Sequence, residues 1–115
     1  MTLPEDGHLL RIFIGESDRY DNRPLYQWIV REARRHGLAG ATAFRGIEGF
    51  GGRSRLHTTK FLRLSADLPV VVEIVDHIDR IEAFLPVVDE VISEGLATIE
   101  KVHVRFYRDG KMEES

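Results

Sequence analysis

The sequence predicts an α+β domain of order βαββαβ, with an antiparallel sheet and two helices on one face. Three observations carry this. Pro69 opens Val70-Val71-Val72-Glu73-Ile74-Val75, a β-branched run and the clearest strand in the chain. Two sets of apolar residues recur three and four apart, first Leu25, Trp28, Ile29 and Ala33, then Ile78, Ile81, Leu85, Val88 and Ile92. That is the spacing of helices with one apolar face. Leu9 to Ile14, the stretch from Gly40, and Leu96 to Tyr107 supply the other strands.

In chain order, residues 1 to 8 are polar and expected to fray. Leu10, Ile12 and Ile14 point to one face of the first strand and Leu9, Arg11 and Phe13 to the other. Gly15 to Asp21 is a charged loop. Asp21 or Asn22 is expected to cap the first helix, with Pro24 in its first turn and Gly37 as its stop.

The central strand places Ala41, Ala43, Arg45 and Ile47 on one face and Thr42, Phe44 and Glu48 on the other. Gly46 within it marks a bulge or a close backbone approach. Gly49, Gly51 and Gly52 are then expected to release the chain from strand geometry into a long loop.

The second helix is expected to start near Asp76 or Asp79 and to end at Gly95. Pro86 falls inside its apolar pattern and removes a backbone donor, which predicts a kink or break near Glu82. This order is the split-βαβ, ferredoxin-like arrangement.

At 115 residues the chain is long enough for one domain, 1–115, with one modest core. A formal charge of -3 argues against bulk nucleic-acid binding. The absence of cysteine removes disulfides and thiolate chemistry and fits a reducing compartment. No apolar run approaches membrane length and the N-terminus lacks a signal pattern, so a cytoplasmic protein without direct membrane insertion is expected.

The basic, hydroxyl-rich stretch after the glycines, Arg53-Ser54-Arg55-Leu56-His57-Thr58-Thr59-Lys60, has the composition of an anion site. A surface loop with solvated charges explains it equally. No dinucleotide fingerprint, Walker loop or zinc-hydrolase spacing occurs, and no nucleophile–base pair can be named. Neither a catalytic residue nor a metal site is expected. The sheet face away from the helices should be polar, yet it carries Val71, Val75, Leu9 and Phe13. Self-association would cover that face, the alternative being a monomer with a locally apolar sheet.

Several stretches resemble a known family: Gly37-Leu38-Ala39-Gly40-Ala41-Thr42, Gly46-Ile47-Glu48-Gly49-Phe50-Gly51, His57-Thr58, and Leu68-Pro69 running into Glu73-Ile74-Val75-Asp76. From Leu9 to Tyr107 the chain resembles the PII-like group of small trimeric signalling proteins. Within that group it is most similar to a domain-of-unknown-function family carrying Gly-Ala-Thr-x-Phe-Arg-Gly-Ile-x-Gly-Phe-Gly.

The resemblance implies a PII-like homotrimer with an adenine nucleotide or other small anion in a cleft between subunits. It further implies a target protein engaged through the 51–63 loop. Thr42 or Ala43 would line the cleft, and Gly49, Phe50 and Gly51 would form the loop base at the phosphates. Glu73 would meet the adenine edge, and Lys101 would contact phosphate. The same site reading has Gly49 and Gly51 admitting an anion that Arg53 and Lys101 neutralise.

This chain departs from classical PII in its Ser93-Glu94-Gly95-Leu96-Ala97-Thr98-Ile99-Glu100-Lys101 segment, which keeps one glycine of a glycine-rich loop. It also has no tyrosine between Gly51 and Phe61. Family context implies a membrane transporter or ion channel, fluoride exporters included, as the partner. Two other readings stay open: a small ferredoxin-fold enzyme, and a structural trimer resembling the metal-tolerance relatives of PII.

Overall fold

The structure, a computed structural model, describes residues 6–50, 57–58 and 68–110. In chain order these form β1 (Asp6–Gly15), β2 (Arg19–Tyr20), β3 (Arg23–Pro24), α1 (Leu25–Arg35), β4 (Ala41–Arg45), β5 (Glu48–Gly49), β6 (His57–Thr58), β7 (Pro69–Asp76), α2 (Ile78–Val91) and β8 (Leu96–His103). The main sheet has the order β4–β7–β1–β8, and every neighbouring pair in it is antiparallel. Two two-residue ladders, β2–β3 and β5–β6, stand outside it.

Alternation along β1 and β7 sends Leu10, Ile12, Ile14, Val70, Val72 and Ile74 to one face, all of them buried. Leu25, Ile29 and Ala33 of α1 and Ile81, Phe84 and Val88 of α2 pack there in one cluster. Both helices therefore cover the same face, as the fold class requires. Among the described residues no helix is long and apolar enough to cross a membrane.

Helix α1 stops where Gly37 allows it to. His36 is the C-cap, Gly37 takes φ +74, and the N–H groups of Gly37 and Leu38 donate to Arg34 O and Ala33 O. This paired pattern is the Schellman termination, for which a left-handed residue is needed just past the cap.

Several expectations are corrected. Neither Asp21 nor Asn22 caps α1. Both take positive φ, 53 and 64, as the two central residues of the β2–β3 hairpin, and Pro24 occupies the cap position without a side-chain bond. A two-residue hairpin loop of this kind needs left-handed residues, and Asp and Asn tolerate that conformation best after glycine. Helix α2 runs unbroken through Pro86 and ends at Val91, before Gly95. A Cβ on Gly95 would lie 2.7 Å from Phe13 O, so that glycine admits a close approach to β1 instead of stopping a helix.

The strand β8 ends at His103, four residues short of Tyr107. Strand β1 begins at Asp6, earlier than the expected frayed segment allowed. The chain also re-enters strand pairing after Gly46, with Glu48 opposite Thr58 and Gly49 opposite His57.

Gly46 does mark a close backbone approach. Its N–H donates to Pro69 O at 2.6 Å, and a Cβ there would lie 2.8 Å from Pro69 Cγ.

Candidate functional site

The face of the sheet away from the helices is built in rows. Register places Thr42 opposite Glu73, Glu73 opposite Arg11, and Arg11 opposite Thr98, so four polar residues form one row across all four strands. Arg11 Nε donates to Glu73 Oε2 at 2.8 Å, and its Nη1 lies 3.4 Å from Glu100 Oε1. Both Arg11 and Glu73 are half-buried. The next row is wholly apolar: Phe44, Val71, Phe13 and Leu96. Phe44 is 50% exposed and Leu96 59%. On the other side of the polar row, Val75 pairs with Leu9 and Leu9 with Glu100. The face is an apolar surface crossed by one charged, hydrogen-bonding stripe.

The expected site residues fall in three places within one chain. Thr42 and Glu73 are brought together, directly opposite each other. Gly49 and Phe50 lie at the Pro69 end of the sheet, where a Cβ on Gly49 would sit 3.1 Å from Pro69 Cγ and Phe50 is 77% exposed. Pro69 is four residues along β7 from Glu73, roughly 13 Å at strand rise. Lys101 pairs with His8, which pairs with Asp76, and this row belongs to the helix-covered side. One chain thus does not bring Lys101 to Glu73. Gly51 and Arg53, with most of the 51–63 loop, lie outside the described residues.

Two features escaped the sequence reading. Arg11 was legible as a residue of the open face, but its pairing with Glu73 depends on a strand register that only the folded sheet reveals. The second is a clasp around Asp76, which is 0% exposed. Its Oδ1 accepts His77 N–H at 2.6 Å, and its Oδ2 accepts Ala39 N–H at 2.9 Å and Arg80 Nε–H at 3.2 Å.

Arg80 also donates to Gly37 O, and Tyr107 Oη donates to Ala39 O at 3.1 Å. The connection leading into Gly40-Ala41-Thr42 is therefore held from β7, α2 and the tail after β8. A bound charge with several donors fixes geometry more firmly than a neutral pair does. That tail also crosses Gly7, where a Cβ would meet Val104 Cγ2 at 3.1 Å.

Compared with known proteins, residues 7–104 match the DUF190 family, described as an uncharacterized ACR. A UPF0166 protein of Aquifex aeolicus is 40% identical over 98 residues, covering 84% of this chain and 90% of the relative. A UPF0166 protein of Methanocaldococcus jannaschii is 38% identical over 97 residues, covering 84% and 89%.

Among solved structures, a PII-like signalling protein of Thermus thermophilus superposes with TM-score 0.60 at 21% identity, covering 90% of this chain and 93% of that one. The nitrogen regulatory PII-like protein CPII of Thiomonas intermedia, bound to ADP, AMP and bicarbonate, gives TM-score 0.59 at 14% identity, covering 86% and 88%. These likenesses establish the fold. With the family match spanning nearly all of the described sheet and both helices, the chain belongs to the DUF190 (UPF0166) family and has the PII-like fold.

Proposed function

We propose that this protein is a PII-like regulator that assembles as a homotrimer through its open sheet face and binds an adenine nucleotide or related small anion between subunits. The observation that carries this reading is the polar row Thr42–Glu73–Arg11–Thr98 set in the otherwise apolar face away from the helices. An apolar face of this extent favours a partner, and a second and third copy offer the same chemistry. The row gives a ligand at its β4 end both a hydroxyl and a carboxylate. Arg11 keeps the Glu73 side chain in one orientation, as an acceptor for an adenine amino group requires.

Assembly between copies also explains how Lys101, on the other side of the sheet, would serve the site: it would reach a neighbour's ligand. Gly49, Gly51, Phe50 and Arg53 would complete the phosphate side, and the loop to residue 63 would carry the signal to a target. That CPII was captured with ADP and AMP supports adenine nucleotides as the first ligands to test. A membrane transporter or ion channel is the class of target to test.

Light scattering on purified protein at micromolar concentration should give three times the chain mass, and a single-chain mass would refute the assembly. Calorimetry with ADP, AMP and ATP should then show binding that Glu73→Gln and Thr42→Ala each weaken. For Glu73→Gln the loss should be about tenfold or more, the worth of one charged hydrogen bond. Binding unchanged in both variants would remove the nucleotide from this face.

A further inference from the structure

A separate cleft lies on the helix side of the sheet, between α1 and the segment that leads into β4, with a volume of about 1110 Å³. Arg23 from β3 and Arg31, Arg34 and Arg35 from α1 line it, together with Trp28. The carboxylates lining it are Asp21 and Glu32. Glu32 is already engaged by Arg35 at 2.6 Å, which leaves Arg23, Arg31 and Arg34 without an ion pair among the described residues. Arg23 Nε is buried and has no hydrogen-bond partner. A buried guanidinium donor left unsatisfied is costly, so Arg23 brings an uncompensated positive charge to the cleft wall.

The helix dipole accounts for part of this charge but not all of it. Arg34 and Arg35 sit in the last turn of α1, where cations are favourable without any ligand. Arg31 is a turn earlier and Arg23 is on another element, so neither is explained in this way. The carbonyls of Ala33 and Arg34, which would repel an anion, are tied up by Leu38 and Gly37 N–H.

Three unpaired guanidiniums from two elements call for more than one negative charge and more than two oxygens. A planar carboxylate supplies one charge and two oxygens, whereas a phosphate or pyrophosphate supplies both needs and fits the guanidinium fork. The volume lies just above the usual small-molecule range of about 300–1,000 Å³, as expected of an open cleft.

We propose that this arginine cleft is a binding site for a small phosphate- or pyrophosphate-bearing molecule, distinct from the open-face site. Trp28 is the single tryptophan in the chain, so its fluorescence reads the cleft directly. Titration with inorganic pyrophosphate at constant ionic strength should change that fluorescence saturably. Arg31→Ala and Arg34→Ala, both exposed side chains with little role in the core, should each weaken the response by about tenfold or more. Arg108→Ala, outside the cleft, should leave it intact, and far-UV circular dichroism should confirm that every variant is folded.

Arg31→Lys keeps the charge but not the fork, and should fall between wild type and Arg31→Ala. A response that follows ionic strength alone, one that survives both alanine substitutions, or none at millimolar pyrophosphate would overturn the proposal. Citrate binding as tightly as pyrophosphate would overturn the phosphate class. The outcome is separable from the open-face reading, because ADP held by Thr42 and Glu73 would keep its affinity in Arg31→Ala.

Discussion

Asp76 combines complete burial with three donors from residues 39, 77 and 80. Removing the buried carboxylate leaves its three donors without an acceptor. Asp76→Ala should therefore cost about 3–5 kcal/mol of unfolding free energy. Asp76→Asn keeps one oxygen acceptor and should cost about 1–2 kcal/mol, the loss of part of a charged hydrogen-bond set. Arg80→Ala removes the cationic partner of this buried carboxylate but leaves its two backbone donors, and should cost about 1–3 kcal/mol. Urea unfolding of the three variants checks these costs, and equal midpoints for Asp76→Ala and wild type would contradict them. At this scale the sequence was half legible. Glu73 and Arg11 could be assigned to one face by alternation alone. Asp76 suggested only a helix start, because its decisive donor, Ala39 N–H, comes from the connection into the neighbouring strand β4, a distant point in the chain. The positive-φ pair Asp21–Asn22 was misread for a related reason: Asp and Asn serve equally as helix caps and as hairpin turns. The two-residue strands that decide between these roles are too short to show a period.

Helix α2 shows one element overriding a local rule. Pro86 costs the helix about 3 kcal/mol through its missing N–H and its ring. On either side of it Ile81, Phe84 and Val88 are buried against the sheet. Burying side chains of this size is worth roughly 1.5–3 kcal/mol each, so together they outweigh the proline and hold the helix in one piece. Since Pro86 itself is exposed, Pro86→Ala should disturb no packing and should stabilise the protein by about 1–3 kcal/mol. Thermal unfolding would register this as a raised midpoint, whereas a lowered one would mean that the ring or a bend in the helix is needed. The helix itself was legible from its apolar spacing, and β7 from its β-branched run. What periodicity could not supply was the balance between a known penalty and a packing gain, which depends on Phe84 reaching the core.

Among the described residues both helices crowd one sheet face and leave most of the other open. Its apolar row, Phe44, Val71, Phe13 and Leu96, runs from one edge strand to the other beside the charged row. Apolar surface of this kind gains roughly 25 cal/mol for each Å² removed from water. Among the described residues the tail after β8 crosses only the Gly7–Val75 end of this face, where Leu9 is 9% exposed, and it leaves Phe44 and Leu96 open. The sequence foreshadowed this surface, because apolar residues fell on both faces of β1 and β7. It could not show that Arg11 and Glu73 pair within one row, with Glu100 reached from the next. That arrangement matters for assembly. Arg11 and Glu73 pair at 2.8 Å, so a neighbouring subunit can close over that pair without burying a lone charge, while Glu100, the one carboxylate in excess, is 58% exposed on edge strand β8. A new charge on the apolar row would have no such partner. Phe44 is half-exposed on edge strand β4, so Phe44→Glu should leave the fold intact and place an unpaired carboxylate inside the contact. Leu96→Glu does the same from the opposite edge. Both variants should run at the mass of a single chain in light scattering, at concentrations where the wild type shows three, with unchanged far-UV circular dichroism. A wild-type trimer whose mass survives both substitutions would place the assembly contact elsewhere and leave the open face without its proposed occupant.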